Sequence, residues 1–250
     1  MTTTPPPPLK DTSEPLSSPA SRIPQQSGLP RAGRSRAFTN WIIQVSSEDP
    51  GARSALRSGL RKDLDSVRRM HRLVAPWLPE PRSEDVERAY YTVAAMIAAQ
   101  PRSALVVPQD ATFGPDRSGE PVAAPHARRR RASLGTAFAL AVAEGPGREK
   151  EMRAGAAESR LNLLTRQSVN GLHRHLPASV GYLRSLGVEV DWAQLLDDLS
   201  GWRRQSGRIS RTWLQDFYRV RNKALVQQAD NADEKELTAE TAAAAGPSAP

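Results

Sequence analysis

Apolar positions in this chain repeat with the period of a helix from about Phe38 to Val220. Phe38, Trp41, Ile42 and Val45 fall at i, i+3, i+4 and i+7, one face of a first helix. Asp49 followed by Pro50 sets a cap and a proline at the first helical position, which predicts a second helix through Leu56 and Leu60. Val67, Met70, Leu73, Val74 and Trp77 predict a third, stopped by the prolines of PWLPEP. Ser83 precedes Glu84, Asp85 and Glu87, a cap and negative charge at the positive end of a fourth helix. Its face is Val86, Tyr90, Val93, Ala94 and Ile97, and Pro101 ends it.

The second half continues the rhythm. Leu134, Phe138 and Val142 predict a helix broken by EGPG, and Leu161 and Leu164 mark another between about Arg148 and Arg166. Val169, Leu172, Leu176, Val180, Leu183 and Leu186 give either a helix pair or one helix kinked at Pro177, with Gly187 as its C-terminal cap. Asp191 with Gln194 resembles a capping box before Trp192, Leu195, Leu196, Leu199 and Trp202. Ile209, Trp213, Phe217 and Val220 form the last helix. No alternating stretch exceeds GVEVD, so the fold class is all-α.

Composition divides this helical stretch from its flanks. Residues 1–36 hold eight prolines and few aliphatic side chains, and residues 222–250 end in AETAAAAGPSAP. Neither tail buries enough apolar surface to offset the entropy of ordering, so both are expected to be disordered. Residues 101–132, rich in Pro, Gly and Asp and containing ARRRRAS, read as a long loop between two small helical lobes, 37–100 and 133–221. There is no cysteine, hence no disulfide or thiolate metal site, and no apolar run approaches a membrane span. A cytoplasmic protein is expected.

The chain offers no constellation for catalysis. His173 and His175 lie about 200° apart on a helix and cannot share a metal, and His71 and His126 have no nearby ligand. Asp197–Asp198 and Glu84–Asp85 are adjacent carboxylates, which on a helix do not face each other and read as solvated. No glycine-rich phosphate loop or nucleophile elbow is present. The reading excludes an enzyme, a metal, a cofactor and a small-molecule substrate. The five tryptophans occupy apolar helix positions, which favours core packing over base stacking.

Charge changes the picture. The formal net charge is +8, and residues 37–221 carry 28 basic against 20 acidic side chains. Thirty of the 35 basic residues are arginine, whose planar fork suits phosphate oxygens. They cluster. Arg57, Arg61, Arg68, Arg69 and Arg72 lie between Leu56 and Leu73, with Arg57–Arg61 and Arg68–Arg72 at i,i+4 spacing. Arg166, His173, Arg174 and Arg184 form a second group, and Arg203, Arg204, Arg208 and Arg211 a third. Arg128, Arg129, Arg130 and Arg131 are secondary candidates: the run reads as a mobile backbone clamp in the loop, as a nonspecific charge tract, or as composition alone. A polyanionic partner, nucleic acid, fits these clusters.

The order of the segments resembles a known family. ARSALRSGLRKDLDSVRRMHRLVAPWLP, ERAYYTVAAMIAAQPR, SLGTAFALA, ESRLNLLTRQSVNGLHRHLPASVGYLRSLGVEVDWAQLLDDLSGW and WLQDFYR together are similar to CasB, the small subunit of Cascade, the type I-E CRISPR surveillance complex. The resemblance implies a non-catalytic helical protein that assembles with other Cascade subunits and with a second copy of itself. It also implies basic residues that touch the backbones of guide RNA and target DNA and help to hold the opened strands. Two other readings remain open: a stand-alone sequence-specific regulator, with Arg211, Arg219 and Arg221 on a recognition helix, and a purely structural adaptor.

Overall fold

The computed structural model describes residues 31–105, 131–142 and 151–244, with side chains placed from 33 to 235. It contains α1 (Arg31–Glu48), α2 (Pro50–Arg57), α3 (His71–Val74), α4 (Glu84–Ala98), α5 (Leu134–Val142), α6 (Ala154–Thr165), α7 (Val169–Ser185) and α8 (Trp192–Ala244). No strand occurs among the described residues, GVEVD included. No described helix is long and apolar enough to cross a membrane.

Several local signals act as the sequence predicts. Asp49 caps α2, its carboxylate accepting from the backbone N–H groups of Gly51 at 2.8 Å and Ala52 at 2.9 Å. Gly187 adopts φ +74 after α7, and Val188 N–H donates to the Leu183 carbonyl at 3.1 Å. Asp191 accepts from Gln194 N–H at 2.9 Å. Ser83 holds the N-cap backbone position of α4, but its hydroxyl makes no cap bond.

Other expectations need correction. The third predicted helix is a succession of single turns, Leu64–Ser66, Arg68–Met70, α3 and Ala75–Trp77: Val67 leaves helical geometry at φ −106, ψ 33 between the first two, and Pro76 lacks the N–H that would carry α3 onward. Its apolar positions are nonetheless buried. α7 is one helix with Pro177 inside it, not a pair. α1 begins at Arg31, so the expected tail boundary at Ala37 falls too late. Buried Ser35, whose hydroxyl donates to Asp197 Oδ1 at 2.7 Å, ties that first turn to α8. At the other end residues 222–244 continue α8, where a disordered tail was expected; alanine and glutamate there are strong helix formers.

α8 is not straight. Gln205 takes φ −134, ψ 20, a non-helical conformation. A straight helix would hold residues 198 and 213 about 22 Å apart. Instead Trp213 Nε1 donates to Asp198 Oδ2 at 2.7 Å, and the Trp202 and Trp213 rings stack at 5.1 Å. The helix folds back on itself at Gln205, and the two limbs clamp their aromatics together. α1, α4, α5 and α6 pack against this hairpin. Gly135 of α5 lies so close that a Cβ there would sit 1.7 Å from the Trp213 carbonyl oxygen.

Phe38, Trp41, Trp77 and Tyr90 form the aromatic centre of the first half, with Phe38–Tyr90 at 4.7 Å and Phe38–Trp77 at 5.7 Å. These residues and the α8 aromatics belong to one buried cluster running from Phe38 to Phe217. The segments before residue 101 and after residue 132 therefore share a core; separate cores do not mark a division between them.

Candidate nucleic-acid interface

Burial of Met70, Leu73 and Val74 turns Arg68, Arg69 and Arg72 outward. With Gly51, Ser54 and Ala55 of α2 they line a hollow of about 520 Å³. All three arginines are exposed, and their side chains make no hydrogen bond or ion pair among the described residues. Arg57 is exposed in the last turn of α2 and equally unbonded. The i,i+4 stack expected for Arg57 and Arg61 does not form. α2 ends at Arg57, Gly59 tucks against Met70, and Arg61 lies in the following turn with φ 61.

That turn carries Arg61 to a second recess, a groove of about 700 Å³ between the turn, α4 and α7. Arg61 and Lys62 line it from the turn, Arg88 and Thr92 from α4, and Arg174 and His175 from α7. Arg88 is held by Glu84 at 3.5 Å and Asp63 at 3.9 Å, and it donates to Asn170 Oδ1 across the groove. His173 is buried at the groove's floor, its Nδ1 2.9 Å from Thr92 Oγ1. Burial, and then the nearby Arg88 charge, lower its pKa to about 4, so it is neutral at physiological pH.

Other predicted contacts leave the interface. Arg184 is half-buried, its guanidinium donating to Gln100 Oε1 and to the Val188 carbonyl, each at 3.1 Å. It fastens α7 to the end of α4. Arg203 forms a bidentate pair with Asp85 in the first turn of α4, and this bond holds the Asp85 carboxyl below its ordinary range. Arg53 is likewise structural, donating to the carbonyls of Ala98 at 3.1 Å and Gln100 at 2.5 Å. Arg166, Arg204, Arg208 and Arg211 are exposed and unbonded among the described residues. Arg208 faces a recess that also holds Asp197 and Asp198, so its surroundings are acidic. Arg131 pairs with Asp197 and is an anchor for the start of α5, not a free clamp. Arg128, Arg129 and Arg130 lie outside the described residues.

Asp198 corrects the solvated reading of the Asp197–Asp198 pair. It is 8% exposed and accepts from Trp213 Nε1 and from Gln194 Nε2 at 2.8 Å. Burial raises its pKa to about 6; the two hydrogen bonds pull the other way. Its partner lies fifteen residues ahead and meets it only because α8 folds back, which no local spacing announces. No group of His, Asp or Glu among the described residues has a geometry to hold a metal ion.

The fold and these surfaces define a helical scaffold that presents uncompensated arginines in shallow recesses. The profile of the family described as CRISPR-associated protein Cse2 matches residues 52–218, and the chain belongs to that Cse2/CasB family, the small subunit of the type I-E Cascade complex. A chain of a solved CRISPR RNA-guided surveillance complex is 35% identical, with a TM-score of 0.64 over 80% of this chain and 99% of the other. A second such complex, in a pre-nicking state, gives 36% identity and 0.63 over 79% and 98%. CasB of M. ruber, at 22% identity and a TM-score of 0.55 over 77% and 97%, shares the fold. No curated protein matches the chain.

Proposed function

We propose that this chain is a non-catalytic small subunit of a type I-E Cascade complex in antiviral defence, and that it holds the opened target DNA through backbone contacts. The observation that carries this reading is the set of exposed, unbonded arginines on a rigid helical body: Arg57, Arg61, Arg68, Arg69, Arg72 and Arg174. Arginines fixed on helices bind phosphates without reading bases, because phosphates carry no sequence information. Strand exchange driven by a guide is close to balanced, so modest protein–backbone contacts tip it toward the open state. The partners are the other Cascade subunits, a second copy of this chain, guide RNA and target DNA, and the setting is the cytoplasm.

The stand-alone regulator is disfavoured by its proposed recognition helix. Trp213 and Phe217 are fully buried, Arg219 pairs with Asp216 at 3.4 Å and Arg221 lies over the Phe217 ring. Little of that helix is left to enter a groove.

The test replaces Arg57, Arg61, Arg68 and Arg69 by Ala in the small subunit of a reconstituted complex. Retention of opened target DNA falls while assembly and helicity stay normal. Unchanged retention with normal assembly would refute the assignment of this face.

A further inference from the structure

The last part of α8, residues 222–244, is an arm. It lies beyond residues 52–218 that the family profile matches, and every described side chain from Asn222 to Lys235 except Ala224 is exposed. At 1.5 Å per residue the arm is about 35 Å long. Gln205 is the one residue at which α8 leaves helical geometry, so the arm continues the axis of the second limb away from the body.

Its chemistry is opposite to that of the body. Residues 222–250 carry two basic and five acidic residues, and all five carboxylates, Asp230, Asp233, Glu234, Glu236 and Glu240, fall within the arm. Asp230 and Asp233 are exposed and make no hydrogen bond or ion pair among the described residues. One turn ahead of them Leu225 and Val226 are 53% and 61% exposed. A lone helix of this length is marginal in water and takes most of its stability from packing against something.

We propose that the arm docks on a second copy of this chain, its carboxylates entering the Arg68–Arg69–Arg72 hollow, and covers that hollow until nucleic acid displaces it. Charge and reach select this occupant. A second arm is disfavoured, because the pair would bring like excesses of carboxylate together. The molecule's own hollow is built from α2 and the turns before α3, and its three arginines make no ion pair with the arm among the described residues. An unbroken helix leading away does not turn back to it.

The same hollow on a neighbour fits. Arg68, Arg69 and Arg72 offer three exposed cations, and Gly51, Ser54 and Ala55 beside them are small enough to let a helix approach. The positive excess of residues 37–221 draws the arm in at longer range. Carboxylate and phosphate then compete for the same guanidinium groups. That competition, though not the docking, rests on the nucleic-acid reading above.

The chain has no cysteine, so single thiols report the contact. Ser54 is exposed in the hollow, and Gln227 is exposed on the arm one turn before Asp230. Full chains carrying Ser54→Cys and Gln227→Cys, with tags of different mass, are mixed at low salt and treated with a short bis-maleimide. A mixed crosslinked dimer is expected. Its yield falls about tenfold when Arg68, Arg69 and Arg72 of the Ser54→Cys chain are replaced by Ala, the change in affinity that three exposed ion pairs amount to. Saturating oligothymidine abolishes it. Leu163→Cys, exposed on α6 and outside the hollow, gives no product in place of Ser54→Cys.

No mixed product, a yield indifferent to the three arginines, or an equal product from Leu163→Cys overturns the docking; salt-dependent oligothymidine binding by the unaltered chain then leaves the nucleic-acid reading standing. An arginine-dependent product that persists at saturating oligothymidine overturns the competition. A chain that forms the product and binds no oligothymidine overturns the nucleic-acid reading and keeps the docking.

Discussion

Replacing Asp198 by Asn isolates one buried charge at the joint of the α8 hairpin. The carboxylate is 8% exposed, bonded by Trp213 and Gln194, with Asp197 and Asp191 nearby. Its pKa rises from the ordinary 3.8 to about 6, and at 1.36 kcal/mol per pH unit that gap amounts to about 3 kcal/mol of folding free energy. Below pH 4 the group is protonated in both states and costs nothing. As pH rises to 6 the unfolded chain ionises first, the folded chain retains its proton, and stability falls; above 6 the curve is flat. His173 does the opposite. Its pKa drops from 6.5 to about 4, so the unfolded chain is charged while the folded one is neutral, and stability rises by about 3 kcal/mol across that window.

The two slopes nearly cancel in the native protein. Asp198→Asn removes the falling one and keeps both hydrogen bonds, since Gln194 can turn its amide to offer an oxygen. The variant is therefore at least as stable as the native chain at pH 7. Between pH 4 and 6.5 its stability rises relative to the native chain by about 2 kcal/mol, the rest of the gap lying outside that range. Urea unfolding from pH 4 to 7, followed by tryptophan fluorescence, measures this difference, because Trp202 and Trp213 flank the group. Profiles of variant and native protein that stay parallel over the whole range would refute the reasoning.

Gly135→Ala forces a methyl group onto the Trp213 carbonyl and should cost about 3 kcal/mol, read as a fall in thermal midpoint. Trp202→Ala removes a buried ring that stacks on Trp213 and donates to the Gln167 carbonyl; a loss of about 4 kcal/mol is expected in urea unfolding. Asp49→Ala deletes the cap of α2 and should cost about 1 kcal/mol with the same assay. Arg184→Ala strands Gln100 and the Val188 carbonyl, so it lowers stability without changing the salt dependence of nucleic-acid binding.

Helical periodicity made most of the core legible. Trp41, Trp77, Trp202 and Trp213 are buried where the apolar spacing puts them, because a helix face is a local property of sequence. The extent of the helices was harder to read. Ser35 looks like tail until its partner Asp197, 162 residues away, is in view, and the polar RRQSGR reads as a loop although only Gln205 leaves the helix.

Charge was legible as a total and much less so by residue. Arg68, Arg69 and Arg72 are free as expected, since their apolar neighbours turn them outward. Arg184 and Arg203 are not, because Gln100, just past the end of α4, and Asp85 in its first turn reach them at separations where sequence carries no register. Arg61 and Arg174 meet at one groove for the same reason.

The central claim, that this scaffold offers charge to nucleic-acid backbone, is tested most directly by a salt series. The purified chain is titrated with single-stranded and duplex DNA of unrelated sequences, beside a variant with Arg68, Arg69 and Arg72 replaced by Ala. The account predicts weak, sequence-indifferent binding that falls steeply with salt, and a single-strand slope shallower by about 2 in a variant that folds normally. Tight binding to one duplex alone, or a slope identical in the two proteins, would contradict it.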